Sequence, residues 1–387
     1  MNFISRFDSL HEQATAATGL VDFGPDDYHD PLRRILADYD RYPRFSAAGI
    51  ATTMAELIGK LVGRLVAQQG FKQYPHFLTT PIEKPIIIVG MPRTGTTALQ
   101  RLLCQDPGTQ ALELWLAAMP MPRPPRASWP DHPVYRQVAE QIRALNAASP
   151  ALAHIHPVFA DQPDECRFSL DQSFWSPGLA TTATVPDYGQ WCLDTDARYS
   201  YRYHRQVMGL IAAGDTRRWV LKNPDHIFAL DALLDVFPDA CIVQTHRDPA
   251  YSMASLCSLS YEILQMREPE ITPAAHARNA EVWIRALDKA AVVRRRLDPA
   301  RFFDLHIDEI NADQVGAVER IYHHFGLPVS AAARAAWRQR ASADPRAGHG
   351  SHDYRFERFG VDAQRVRAEA PAYCDLYSRL WNKELPQ

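Results

Sequence analysis

The stretch Pro85–Cys104, PIIIVGMPRTGTTALQRLLC, constrains the fold more than any other part of this chain. Ile86 to Val89 is a continuous apolar run rich in β-branched residues, as expected of a strand buried on both faces of a parallel sheet. Gly90 breaks the run. Ala98, Leu99, Leu102 and Leu103 then recur at helical spacing, so the segment Gly90–Thr97 must turn a strand into a helix. Such a turn aims backbone N–H groups and two hydroxyls at one spot at a helix N-terminus, where oxyanions bind.

The spacing of Gly90 and Gly95 followed by Thr96-Thr97 nearly matches a Walker A loop, but Thr96 replaces the lysine that reaches the β- and γ-phosphates. This disfavours a P-loop kinase or GTPase. A cation is present inside the loop instead, as Arg93, two residues before the second glycine. An ordinary βα turn with a chance glycine pair would not combine a strand, an arginine, a double threonine and an amphipathic helix.

Pro92–Thr97 resembles the 5′-phosphosulfate loop, P-(K/R)-(S/T)-G-T-(T/S), of sulfotransferases that use 3′-phosphoadenosine 5′-phosphosulfate (PAPS). Its arginine is similar to the bacterial and tyrosylprotein branches rather than to the lysine-bearing cytosolic enzymes. An independent match lies downstream. Arg247 follows an expected strand, Ala240 to Thr245, and Ser255 stands eight residues later on the next helix, resembling the family's 3′-phosphate motif. The fork of donors on arginine suits a phosphate dianion. The resemblance implies that Arg93, Thr94, Gly95, Thr96, Thr97, Arg247 and Ser255 bind the donor. Arg346, with Gly348 and His349, loosely resembles the late Arg-Lys-Gly loop of cytosolic members, and His352-x-Tyr354 with Phe356-x-x-Phe359-Gly360 resembles the bacterial C-terminal signature.

For the chemical step the resemblance offers two bases. Glu113 lies twenty residues after Arg93, nearly the distance of the catalytic glutamate in tyrosylprotein sulfotransferases, and desolvation in the apolar run Ala111–Leu116 would suit a general base. His226 follows Lys222 past the end of an expected strand, Trp219–Leu221, where residues face the ligand crevice. Cytosolic enzymes carry Lys-Thr-His there, and Pro224 takes the histidine's place, which favours Glu113. Arg93 and Lys222 are the expected electrostatic catalysts. Asp164-Glu165 lies in a Pro-Asp-Glu segment similar to the family's.

The remaining chain reads as a helical preface (residues 1–75), the loop and its helix (85–110), an irregular stretch with six prolines between Met119 and Pro133, a helical acceptor-side insertion (134–214), and the rest of the sheet (215–387). Phe159, Phe168, Phe174, Trp175, Tyr188 and Trp191 are equally a satellite core or a lining for an apolar acceptor. Ala275–Leu297 reads as one amphipathic helix whose Arg294-Arg295-Arg296 run faces solvent, and Arg301–Ile307 as a strand. Its Asp304, His306 and Asp308 alternate as metal ligands do, as His154 and His156 pair, yet sulfuryl transfer needs no metal and none is expected.

The expected fold is therefore a single α/β domain, a P-loop-like parallel sheet flanked by helices, with helical N-terminal and inserted segments. The resemblance implies sulfuryl transfer from PAPS to a hydroxyl of an apolar or amphipathic small molecule or lipid. A nucleotide-binding regulator without catalysis is the rival from another class. A net charge of −3 argues against nucleic acid as a partner. No stretch approaches the ~18 apolar residues of a membrane span, the N-terminus lacks a signal-like apolar segment, and the six cysteines show no framework spacing, so a cytoplasmic protein with reduced thiols is expected. A homo-oligomeric state is left open.

Overall fold

The computed structural model describes residues 2–148, 157–343 and 356–381. Its sheet is five-stranded and parallel throughout, with β1 (Ile86–Val89), β2 (Thr109–Gln110), β3 (Arg218–Lys222), β4 (Cys241–His246) and β5 (Phe302–His306) in the order β2-β3-β1-β4-β5. Every residue of β1 is buried, because strands lie on both of its edges and side chains cover both of its faces. Ile86 pairs with Val220 on one side and Cys241 on the other; Ile88 pairs with Lys222 and Val243.

One face of the sheet carries Ile86, Ile88, Val220, Val243 and Leu305. These pack against Leu99, Leu102 and Leu103 of the helix Thr96–Leu103, Val318, Ile321 and Tyr322 of Gln314–His324, and Trp337 of Ala331–Ser342. The period of two along the strands and of three to four along the helices brings these side chains to one layer. Tyr322 ends in a hydrogen bond from its hydroxyl to Asp106 Oδ2 at 2.8 Å, so its polar tip is satisfied inside the core.

The chain divides into two compact units. One comprises Ile82–Ala111, Arg217–Ser258 and Pro273–Gln387 and contains the sheet; the other gathers Met1–Pro81, Leu112–Thr216 and Leu259–Thr272. The helical preface and the inserted segment thus belong to one unit. Its longest helix, Ala47–Gln73, is capped by Ser46, whose Oγ accepts the Gly49 N–H at 3.0 Å. Gly63 lets this helix approach the chain closely, since a Cβ there would fall 2.6 Å from the Ala118 carbonyl oxygen. The buried Arg64 donates to the carbonyls of Phe23 at 2.6 Å and Pro25 at 2.8 Å and to Asp27 Oδ1 at 3.2 Å. The aromatic stretch divides: Phe174, Trp175 and Tyr188 are core, whereas Phe159 is exposed. No described helix is long and apolar enough to cross a membrane.

Two local expectations are corrected and one strand is added. The two-residue β2 was not foreseen. The helix expected over 275–297 is two helices, Pro273–Ala280 and Val282–Arg294, because the Glu281 N–H bonds to Arg278 O and leaves the four-residue ladder. Arg294 does not face solvent. Its guanidinium grips Asp304 with both Nη atoms, at 2.5 and 2.6 Å, and donates to Gln244 Oε1 at 2.7 Å. His246 Nε2 lies 2.7 Å from the same Asp304 carboxylate.

This network sets a pH dependence. Burial pushes the Asp304 carboxyl up, but hydrogen bonds from His246 and Arg294 outweigh it and bring the pKa to about 2 from an ordinary 3.8. A depressed folded-state pKa means stability that is complete above the unfolded value and is lost as pH falls through the folded one. The melting temperature of Asp304→Asn is therefore expected below that of the wild type at neutral pH, with the gap closing as pH falls from about 4 towards 2. Thermal unfolding followed by circular dichroism would measure it; a gap constant across that window would show that Asp304 is not held ionised by its partners.

Candidate functional site

The loop after β1 is shaped by three residues in the left-handed backbone region: Gly90 at φ 140°, Arg93 at 73° and Gly95 at 89°. Gly90 is required by space as well, because a Cβ there would lie 2.6 Å from the Thr245 carbonyl oxygen and 2.7 Å from Thr245 Oγ1. Thr94 is buried, and its hydroxyl donates to Met91 O at 2.7 Å and lies 2.6 Å from Thr245 Oγ1. Its side chain therefore holds the loop to β4 rather than reaching outward. A non-glycine residue in the left-handed region costs roughly 1 to 2 kcal/mol, so the placement of Arg93 is over-determined by its surroundings.

The helix Thr96–Leu103 begins without a side-chain cap, its N-cap being Gly95. Its first ladder bond runs from Leu99 N–H to Gly95 O at 3.1 Å, which leaves the amides of Thr96, Thr97 and Ala98 without an acceptor in the helix. These amides and the positive end of the helix dipole form an anion cradle with Arg93 beside it.

Arg93 Nε donates to Ser255 Oγ at 3.3 Å, so the loop and the helix after β4, Pro249–Gln265, are joined directly. Arg247 leads into that helix. Its guanidinium carbon lies 5.7 Å from the centre of the Tyr251 ring, a cation–π contact. Lys222, buried at the end of β3, stands in register with Ile88, so it, the loop and Arg247 all emerge at the carboxyl edge of three neighbouring strands. In an open parallel sheet that edge is where ligands bind. His226 is fully buried one short turn further on, its N–H bonded to Asn223 O.

Two residues at this edge were not singled out from the sequence as ligand groups. Asn223 is fully buried; its N–H bonds to Ile88 O at 3.3 Å, while its Nδ2 has no partner among the described residues. Ser252 is fully buried one turn before Ser255, and its Oγ likewise has no partner among the described residues. The three-residue spacing to Ser255 was the signal for Ser252. For Asn223 the signal was its place directly after Lys222.

Glu113 belongs to the other unit. It precedes the short helix Leu114–Ala118, and its Oε2 lies 3.1 Å from Arg123 Nη2 and 3.2 Å from Nε, both side chains being 13% exposed. The carboxylate is thus paired with a guanidinium rather than isolated among apolar groups. The Pro163-Asp164-Glu165 segment also acquires a role. Leu114 N–H bonds to Gln162 O, Trp115 N–H to Ala160 O and Asp164 N–H to Leu112 O, so residues 160–164 run antiparallel to 112–115 and hold the backbone at Glu113.

Asp304 and His306 are each engaged by protein groups. Asp304 is taken by Arg294 and His246, and His306 accepts the Asp308 N–H as the N-cap of Ile307–Ala312, in a capping box closed by Glu309. Among the described residues no three His, Cys, Asp or Glu side chains converge to hold a metal. No disulfide joins the six cysteines, all of which lie among the described residues. Arg346, Gly348, His349, His352, Tyr354, His154 and His156 lie outside the described residues.

Residues 85–331 match the model of a sulfotransferase family. The omega-hydroxy-beta-dihydromenaquinone-9 sulfotransferases Stf3 of Mycobacterium bovis and Mycobacterium tuberculosis are each 26% identical over 276 residues, 64% of this chain. The chain spans 64% of the length of these relatives. Among solved structures, sulfotransferase STF1 from Mycobacterium tuberculosis H37Rv is similar with a TM-score of 0.87 at 37% identity, over 95% of this chain and 99% of that one. Sulfotransferase STF9 from Mycobacterium avium also gives 0.87, at 26% identity, over 95% and 96%. Together with an uncapped helix N-terminus, an in-loop arginine and the Arg247–Ser255 pair at neighbouring strand ends, these matches place the chain in the sulfotransferase family.

Proposed function

We propose that this chain transfers the sulfuryl group of PAPS to a hydroxyl of an apolar or amphipathic small molecule or lipid. The observation that carries the reading is the junction of two anion sites, in which Arg93 of the uncapped loop donates to Ser255 of the helix that follows Arg247. A molecule with a phosphosulfate at one end and a 3′-phosphate at the other matches such a pair. The amides of Thr96 to Ala98, which have no acceptor within the helix, and Asn223 Nδ2, which has no partner among the described residues, are donors suited to its oxygens.

PAPS, when bound, supplies the sulfuryl group, whose bond to the phosphate oxygen breaks as the acceptor oxygen attacks sulfur. Arg93 and the amides of Thr96 and Thr97 hold its oxygens and neutralise their charge. Lys222, at the end of β3, faces the charge that builds on the leaving phosphate. Arg247 and Ser255 hold the 3′-phosphate, and Gly95 allows the backbone to approach the ligand. Thr94 contributes by its backbone and by anchoring the loop, since its hydroxyl is engaged at Thr245. Glu113 receives the hydroxyl proton, a role resting on its place in the chain after Arg93; its pairing with Arg123 orients the carboxylate. No step in this scheme calls for a metal. The name of the Stf3 relatives includes a hydroxylated menaquinone, which supports a lipid-like acceptor here. Cysteines without framework spacing support a cytoplasmic site of action.

Calorimetry with nucleotides tests the donor site. Adenosine 3′,5′-bisphosphate is expected to bind well and adenosine 5′-phosphate poorly, and Arg247→Ala should remove most of the difference, by about tenfold or more given the worth of a charge-assisted hydrogen bond. Equal affinity of the wild type for both nucleotides would sink the assignment.

Turnover with PAPS and an acceptor separates the two bases. Glu113→Gln is expected to lower kcat by about 10² to 10⁴ with nucleotide affinity nearly unchanged, while His226→Gln has the milder effect. An inactive histidine variant beside a normal Glu113→Gln would transfer the role to His226.

A further inference from the structure

Asp248 follows Arg247 directly, and its carboxylate is almost completely buried. It accepts the Ala250 N–H at 2.9 Å and so starts the helix Pro249–Gln265. A carboxylate there is a liability if Arg247 holds a phosphate dianion, because like charges repel. Arg367, on the short helix Ala363–Ala368, answers that charge. Its Nη2 lies 2.5 Å from Asp248 Oδ2 and its Nε 3.4 Å from Oδ1.

The same C-terminal segment touches the residues on either side. Tyr373 OH lies 3.0 Å from His246 Nδ1 and 3.4 Å from the Arg247 carbonyl oxygen. Phe356 packs edge-on against Tyr251 at 5.1 Å, on the ring over which the Arg247 guanidinium lies. Two side chains of this segment, Arg367 and Tyr373, thus touch the turn His246–Asp248, a third, Phe356, packs on Tyr251 just beyond it, and Arg367 is the counter-charge to the buried acid.

We propose that Arg367 is a positioning residue of the 3′-phosphate site, neutralising Asp248 so that its buried negative charge does not oppose a phosphate dianion at Arg247. The proposal rests on the reading of Arg247 and Ser255 as the 3′-phosphate pair. Without Arg367 the buried carboxylate is uncompensated, and its charge opposes a dianion bound at the neighbouring position 247. The loss then falls on the 3′-phosphate and spares the 5′ end of the nucleotide, which Arg93 and the loop amides hold.

The test is the ratio of affinities for adenosine 3′,5′-bisphosphate and adenosine 5′-phosphate, measured by calorimetry on the full chain. Arg367→Met is expected to lower that ratio by about tenfold, the scale of one charge-assisted bond, with adenosine 5′-phosphate binding little changed. Arg367→Lys, which keeps the charge, retains most of the ratio. Asp248→Asn combined with Arg367→Met removes both charges and restores it. A merely structural role would weaken both nucleotides together and would not be rescued by the second substitution. An unchanged ratio in Arg367→Met, a parallel loss for both nucleotides, or a double variant without recovery overturns the proposal. If Arg367→Met does not fold, the double variant decides alone: a wild-type ratio supports the proposal and a collapsed one overturns it. A wild type that does not distinguish the two nucleotides fails earlier, at the reading of Arg247 and Ser255, and takes this proposal with it.

Discussion

β1 leaves the sheet between two hydrogen-bonded neighbours, and the carboxyl edge of the sheet is arranged around how tightly it does so. The backbone at Gly90 passes so close to Thr245 that a Cβ would lie 2.6 Å from its carbonyl oxygen. Having no lateral room, the chain reverses through left-handed residues and enters a helix at once. A helix entered from a glycine N-cap has no side chain to satisfy its first amides, so the tightness of the turn and the openness of the anion cradle have one cause. Thr94 and Thr245 then fasten the loop to β4, which carries Arg247 at its end.

What the sequence disclosed follows from the range of the physics involved. The four longer strands were legible from local signals, apolar runs in β1, β3 and β4 and a period-two alternation in the edge strand β5. β2 was not, since two polar residues, Thr109 and Gln110, carry no pattern and owe their pairing to β3 more than a hundred positions away. The loop and the Arg247–Ser255 spacing were legible for the same local reason. The Arg93–Ser255 bond was not, because it spans 162 positions.

Charges were the least readable feature. An arginine run resembles a solvated face until its partners are known, and Arg294 acquired Asp304 and Gln244 only through folding. Arg367 meets Asp248 from 119 positions away. Glu113 found its partner merely ten residues on, but across a proline-rich stretch whose path no periodicity predicts. In each case the residue type was visible and the pairing was not.

The left-handed backbone of Arg93 has a further consequence. Glycine would occupy that position without strain, so the arginine is there at the expense of local backbone comfort. The loop is consequently a place where the demands of folding and of ligand recognition diverge. Selection for thermal tolerance alone would drift towards glycine at position 93 and discard the cation, and a search for hardier variants of this chain has to hold that residue fixed.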